Sequence, residues 1–450
     1  MRQPPTAFSP HTAHRTPENT SHKTARHPRL GQMQETHPAP APRPRWRRDV
    51  ALFLAGQSVS LIGSSVVQFA IFWHLTLETK SGWVIAFSTF FGFLPQAIVS
   101  IFGGVWADRH NRKWLIIGAD LSIAATTIAL AVAFMLGRTD LWLFYGALAI
   151  RSVGAGIQAP AVSALIPQIT PADQLLRVNG LNSSIQSIAQ VGAPVIAAGV
   201  LAAGGLQSAF YLDVVTAVIG VAFLAAIPLR AVDRASQPSD TGYLTDLRAG
   251  LRYVARTPLL RFLVGYFALI MFLAVPPSFL TLLLVARKFG DTSWYLMANE
   301  VAFGLGMTAA GVLVAVAAKR FNNRLMLAAW GGVGLAVTTV ALGLVGNFPL
   351  YLIAMALCGA TVPLINTPMF TIFQEQVPHD MQGRVFGLIM IIMTLALPIG
   401  MAIIGPIADR ISVEALMCIG GAATLVAAAW GLRRAVQLGD RVSAPVADAP

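Results

Sequence analysis

In the stretch FGGVWADRHNRKWL, Phe102 to Leu115, the residues Asp108, Arg109, His110, Arg112 and Lys113 fall within six positions of an otherwise almost uncharged region. Within the neighbouring apolar stretches the ionisable residues are few: His74, Asp120, Arg151, Asp213 and Glu300, with Glu375 near an end. A charge at the centre of a bilayer costs at least ~2.5–3.5 kcal/mol, so such groups face protein or water and are functional candidates by default. Asp120 and Glu300 can gain and lose a proton, which Arg151 cannot. Arg151 lies deepest, ten residues past Leu141 and about 15 Å in. A structural pairing with an acid or helix carbonyls and a transport role are both open to it. Asp120 and Glu300 are expected about six residues from their helix starts, within snorkelling reach, and His74 and Asp213 near the outer edge.

Other chemistries lack their residues. No HExxH, GxSxG or GxxxxGK[ST] pattern occurs. The two cysteines, Cys358 and Cys418, have no metal-ligand or CxxC spacing. No metal, no cofactor and no catalytic constellation is therefore expected.

Amide side chains recur at helical spacing. Gln57, Ser60, Ser64 and Gln68 share one helix face, as do Asn182, Gln186 and Gln190. In hydrocarbon these groups need a partner or water. Hydrogen bonding between helices and a cavity wall both answer that need; with stripes on two helices the wall is preferred, and Asp213 is grouped with it.

The elements that must position these residues are transmembrane helices. Of 450 residues, 55% are hydrophobic and 12% charged, about half the charged fraction of a soluble domain. Apolar stretches of about 20–28 residues each reach across a hydrocarbon core of ~30 Å. Twelve are predicted, at 50–77, 82–106, 114–136, 141–166, 178–203, 207–229, 259–285, 293–317, 325–346, 348–373, 385–408 and 412–432. At that depth backbone groups must be satisfied internally, which predicts an all-α polytopic membrane protein.

The segment before Asp49 holds nine Lys/Arg, two Glu and nine prolines, and is predicted to be a disordered basic tail attracted to anionic headgroups. It lacks the aromatic interleaving of a nucleic-acid binder. With both termini cytoplasmic, cytoplasmic connections carry 17 Lys/Arg and the opposite ones five, satisfying the positive-inside rule. The linker at 230–258 divides the spans six and six, giving bundles at 49–229 and 259–434 and a C-terminal tail at 435–450. Within it, TDLRAGLRYVARTP predicts a surface-lying amphipathic helix, read as a tether in preference to a regulatory site. PADQLLRVNG (171–180) and PHDMQGRVFG (378–387) match in register at equivalent points of the halves, and GVWADR (104–109) is echoed by GPIADR (405–410) on the opposite side of the membrane. Both argue for internal repeats around a central cavity.

Asp108 closes a helix and so faces the negative end of that helix's own dipole. It needs a partner, either Arg112 or the N-terminus of another helix. The pattern Gly104, Asp108, Arg109, Arg112 and Lys113, with Asn111 where glycine is usual, resembles the loop between helices 2 and 3 of the major facilitator superfamily. The resemblance implies a latch between two six-helix bundles that holds in the outward-facing state. RSVGAG (151–156) resembles that family's helix-4 motif, which implicates Arg151 in proton coupling beside Asp120 and Glu300. Gly180 and Pro194 fit its helix-5 motif, with Ala189, Ala193 and Ala197 in place of glycines. AGQSVSLIGSSVVQFAIFWHLT, RSVGAGIQAPAVSALIP and FQEQVPHDMQGRVFGLIMIIMTLALPIG resemble the macrolide-efflux branch of the drug:proton antiporters, which siderophore exporters share. It implies a proton-driven exporter of bulky amphipathic compounds in the cytoplasmic membrane, acting as a single chain, with export of a metabolite such as a siderophore as the alternative.

Overall fold

The computed structural model describes residues 45–228, 243–317 and 323–438. Residues 1–44 and 439–450 of the two predicted tails fall outside this set, as does the side chain of Asp108, while 46–48 and 435–438 belong to helices. All regular structure among the described residues is helical. The first half comprises α1 (Trp46–Thr79), α2 (Gly82–Arg109), α3 (Arg112–Met135), α4 (Leu141–Ile169) and α5 (Leu175–Ala225). A linker helix, α6 (Tyr243–Arg256), leads to α7 (Pro258–Leu273), α8 (Thr281–Lys288), α9 (Ser293–Ala317), α10 (Arg324–Leu344), α11 (Phe348–Gln376), α12 (His379–Ile407) and α13 (Val413–Leu438).

Eleven stretches are long and apolar enough to cross a membrane. One of them, α5, has 51 residues and contains non-helical Gly204 and Gly205. Straight, Gln190 and Asp213 would stand about 34 Å apart at 1.5 Å per residue; instead Gln190 shares a cavity with Ser64, and Asp213 hydrogen-bonds that same serine. The helix therefore doubles back and supplies two spans, making twelve. Gly205 has φ 65° and ψ −164°, a region open essentially to glycine alone. Gly205→Ala is expected to lower stability by about 1–3 kcal/mol. Gly199→Ala, where an added methyl meets open space, should be neutral or slightly stabilising. Thermal unfolding in detergent measures both.

The seventh span is broken. α7 stops at Leu273, a π-helical turn covers Pro276–Leu280, and α8 completes the crossing. Two adjacent prolines remove two backbone donors and force the ladder apart there.

The halves repeat each other's packing. The second span lies against the fourth (α2 on α4) as the eighth lies against the tenth (α9 on α11), and the third packs on the fourth as the ninth does on the tenth. Between halves, α2 packs on α12 and α5 on α9, so the second and fifth spans of each half exchange roles. A twofold relation along the membrane normal produces this pairing. The matched decapeptides sit at equivalent places, entering α5 and α12.

Twelve crossings put Trp46 and Leu438 on one side, here the terminal side; the opposite one is the far side. Far-side connections are short: residues 80–81, 136–140, the kink at 204–205, 289–292, 345–347 and 408–412. Buried first-half residues that join the core of the second half are Val66, Trp73, Ile85, Ala86, Ala193, Ala197 and Ala198. They occupy the far ends of α1, α2 and the first arm of α5. The terminal-side core around Phe53, Ile116 and Leu165 is built from the first half alone. The halves are therefore shut together at the far side and part toward the terminal side.

Candidate functional site

Between the halves lies a cavity of about 620 Å3, within the range of about 300–1,000 Å3 typical of drug-sized ligand sites. The polar part of its wall comes from Ser64 and Gln68 on α1, Gln96 on α2, Arg151 and Gln158 on α4, Gln190 on α5 and Glu300 on α9. Its apolar part includes Phe69, Phe72, Phe93, Phe279 and Phe303. Phe72 and Phe93 of the first half each meet Phe279 of the second with centroids 5.9 Å apart, edge-on, which closes the cavity toward the far side. The π-helical break places Pro277 and Ser278 in the wall.

Behind the wall the first half holds a buried polar network. Arg151 and Asp213 are 5% and 0% exposed, with Nη1 and Oδ2 2.5 Å apart. Thr127 Oγ1 donates to Asp213 Oδ2 at 2.6 Å, Ser64 Oγ donates to Oδ1 at 3.1 Å, and Arg151 Nη2 donates to the Ser64 carbonyl at 3.1 Å. Four spans converge on one ion pair. Asp120 is also buried and accepts hydrogen bonds from Gln158 Nε2 at 2.5 Å and Ser60 Oγ at 3.2 Å. Among the described residues neither Asp120 nor Glu300 has a cation as partner.

These positions revise several expectations. Asp213 is not at the membrane edge: the kink that replaces a loop before the sixth span sets it level with Arg151, and it lies behind the cavity wall. Asp120 and Glu300 do not snorkel, because their helices turn them toward protein and cavity. Ser64, Gln68 and Gln190 line the cavity; Gln57, Asn182 and Gln186 do not. Asn182 and Gln186 continue the face of Gln190 toward the terminal side, where the halves part. Pro194 is buried and leaves the Gln190 carbonyl without its i+4 donor. Gly180 has open space about it.

In the loop after α2, Arg112 donates from Nε to the Ala107 carbonyl at 2.9 Å and from Nη1 to Ala164 at 3.2 Å. Lys113 Nζ reaches the carbonyls of Ala225 and Ile227 at 2.8 and 2.7 Å, capping the end of α5. Asn111, the departure from the usual glycine, accepts from Lys113 N and caps α3. Arg109 is exposed and Gly104 lies within α2. Arg112 and Lys113 thus donate to carbonyls of their own half, while the terminal side is open.

Gln96 and Gln158 were not singled out from sequence. Gln158 follows Arg151 by seven residues, two turns along one face, which was a usable signal. The aromatic lining had none, since a phenylalanine in a membrane helix faces lipid as readily as a cavity.

The architecture and cavity coincide with a family assignment. The model for transmembrane secretion effectors matches residues 47–448. The chain belongs to the major facilitator superfamily. Macrolide efflux protein A of Streptococcus pyogenes is 31% identical over 378 residues, covering 84% of this chain and 93% of that protein. Enterobactin exporter EntS of Shigella boydii serotype 4 is 26% identical over 345 residues, covering 75% and 80%. A bacterial homologue of the iron transporter ferroportin, solved inward-facing, superposes with a TM-score of 0.62 at 18% identity, covering 86% of this chain and 99% of that one, and shows the fold alone. Major facilitator proteins are transporters, not enzymes, and move small molecules across membranes by rocking two bundles around a central site.

Proposed function

We propose that this protein exports bulky amphipathic compounds, macrolide-type molecules among them, across the cytoplasmic membrane in exchange for protons. The observation that carries the reading is the cavity wall, where five phenylalanines and four glutamines offer apolar area and adaptable hydrogen bonds to one large ligand. The identity to a macrolide efflux protein over most of both chains supports the same substrate class. Among the described residues Asp120, Asp213 and Glu300 outnumber the one buried cation, Arg151, so the site favours a substrate bearing a protonated amine over a polyanion. That charge ranks the macrolide reading above the siderophore reading, which the enterobactin exporter keeps open. Asp213 is neutralised by Arg151; Asp120 and Glu300 have no cation and are the proton carriers.

The Lys/Arg bias of 17 to five supports a cytoplasmic terminal side, and on that reading the conformation described is inward-open. Both bundles that enclose the cavity belong to the one polypeptide, which fits transport by a single chain. Transport follows by closure at the cytoplasmic side, where the Asp108 loop bridges the halves, and opening at the far side.

In proteoliposomes without nucleotide, an inward-directed pH gradient is expected to drive erythromycin-class substrates outward, and a protonophore to stop it. Export that persists after the gradient collapses would end the antiport reading. Transport of a catecholate siderophore but no macrolide would reverse the substrate ranking.

A further inference from the structure

The repeated tripeptide Ala-Asp-Arg ends α2 at 107–109 and follows α12 at 408–410. The second copy touches the other half. Asp409 Oδ1 accepts from the backbone N of Gly82 at 2.7 Å, and Oδ2 accepts from Trp83 N at 3.0 Å and Ser81 Oγ at 2.8 Å. Gly82 and Trp83 are the first residues of α2, whose own N-cap residue, Ser81, makes no capping hydrogen bond. The cap comes instead from the opposite bundle, where a carboxylate meets the positive end of the helix dipole.

Arg287 fastens this contact. Its Nη2 lies 2.7 Å from Asp409 Oδ1. The same guanidinium donates to the Lys80 carbonyl at 2.7 and 3.0 Å and to the Ala408 carbonyl at 2.8 Å, so one planar fork holds backbone from both halves. Beside it α2 and α12 touch at Gly82 and Gly405, where a Cβ on Gly82 would overlap the Gly405 carbonyl and one on Gly405 would stand 2.5 Å from the Ala86 methyl. Of the other far-side cations, Lys80 pairs with Asp291 across the halves in an exposed contact and Lys288 lies 4.0 Å from Glu414; an exposed pair contributes little.

We propose that Asp409 and Arg287 form the latch of the outer gate, a trans-cap that holds the far side shut while the cavity faces inward and must release at each outward opening. It rests on the alternating-access reading. Asp409 is a positioning residue and touches no substrate. Burial opposes its charge, but the hydrogen bonds from Gly82, Trp83, Ser81 and Arg287 outweigh this and hold the carboxyl below the usual carboxylate range. The closed gate therefore keeps its full hold above about pH 4 and weakens only as pH falls through that lowered value. Ordinary external acidity leaves it fastened, so release must come from motion of the bundles.

The first arm of the test reads the gate by labelling, with no substrate added. In full-length protein with Cys358 and Cys418 replaced by serine, Ser278→Cys places one thiol in the cavity. A membrane-impermeant maleimide applied outside intact cells should label it slowly. Asp409→Asn and Arg287→Gln should each raise external labelling severalfold, with no further rise in the double variant, because both break one latch. Asp291→Asn, which breaks an exposed pair, should leave it unchanged. In a second arm, Ser81→Cys with Asp409→Cys, joined by a short reducible bifunctional thiosulfonate, should stop transport until reduced. External labelling unmoved by Asp409→Asn and Arg287→Gln, or transport that continues through the cross-link, would overturn the latch. Labelling as expected in a protein that moves no macrolide would sink the substrate reading and keep the latch.

Discussion

Arg151→Met is expected to lower stability by about 3–5 kcal/mol, the cost of leaving a buried charge without its partner. Asp213 is fully buried and its other hydrogen-bond donors are two neutral hydroxyls, from Ser64 and Thr127, which cannot replace a guanidinium. Arg151→Lys keeps the charge, but a single ammonium cannot span Asp213, Thr127 and the Ser64 carbonyl as the fork does. It should fold and transport poorly. Arg151→Met with Asp213→Leu should recover most of the lost stability, since a buried pair replaced whole by apolar groups is often neutral. Thermal unfolding in detergent gives the three stabilities. A double variant no more stable than Arg151→Met alone would mean that Arg151 acts through contacts other than Asp213.

The largest functional effect is expected from Asp120→Asn. One proton entering down one pH unit contributes roughly 1.4 kcal/mol, about a tenfold gradient of a cationic substrate exchanged one for one, and 100 mV adds roughly 2.3 kcal/mol only where the substrate leaves uncharged. The asparagine keeps the size and the hydrogen bond to Ser60, and removes the titrating charge. Gradient-driven accumulation should fall toward unity, while exchange of labelled for unlabelled substrate, which needs no net proton movement, continues. Loss of both would assign Asp120 to structure. Glu300 stands in the cavity wall itself, so Glu300→Gln should also weaken binding of cationic substrates, and that second effect separates the two acids.

Much of this was legible in sequence because the bilayer makes one strong demand at every residue of a span. Apolar length and the Lys/Arg bias predicted twelve crossings divided six and six. The stripe through Ser64 and Gln68 was legible for the same reason, since amides are rare enough in hydrocarbon to mark a protected face. What stayed hidden depends on partners remote in the chain. Asp213 looked peripheral because depth was counted from a predicted loop, and Gly204–Gly205 folds that loop into the helix. Asp409 belongs to a six-residue echo that points to a repeat but not to a contact, and its partner lies 327 positions away at Gly82. The proline pair at 276–277 lies inside the span expected unbroken at 259–285, and the π-helical turn there that carries Ser278 into the wall follows from packing.

The brevity of the far-side connections has a consequence for how the molecule is met from outside. On the proposed orientation that side is extracellular, and among the described residues its six connections have two to five residues each. An antibody or protease in the medium finds no loop long enough to grip or cut. A tag inserted there would prise apart helices that the kink and the glycine contacts hold in register. Selection of extracellular binders against this protein should therefore return few clones, and those obtained should cover Asp409 and the start of α2, making them inhibitors by the fact of binding.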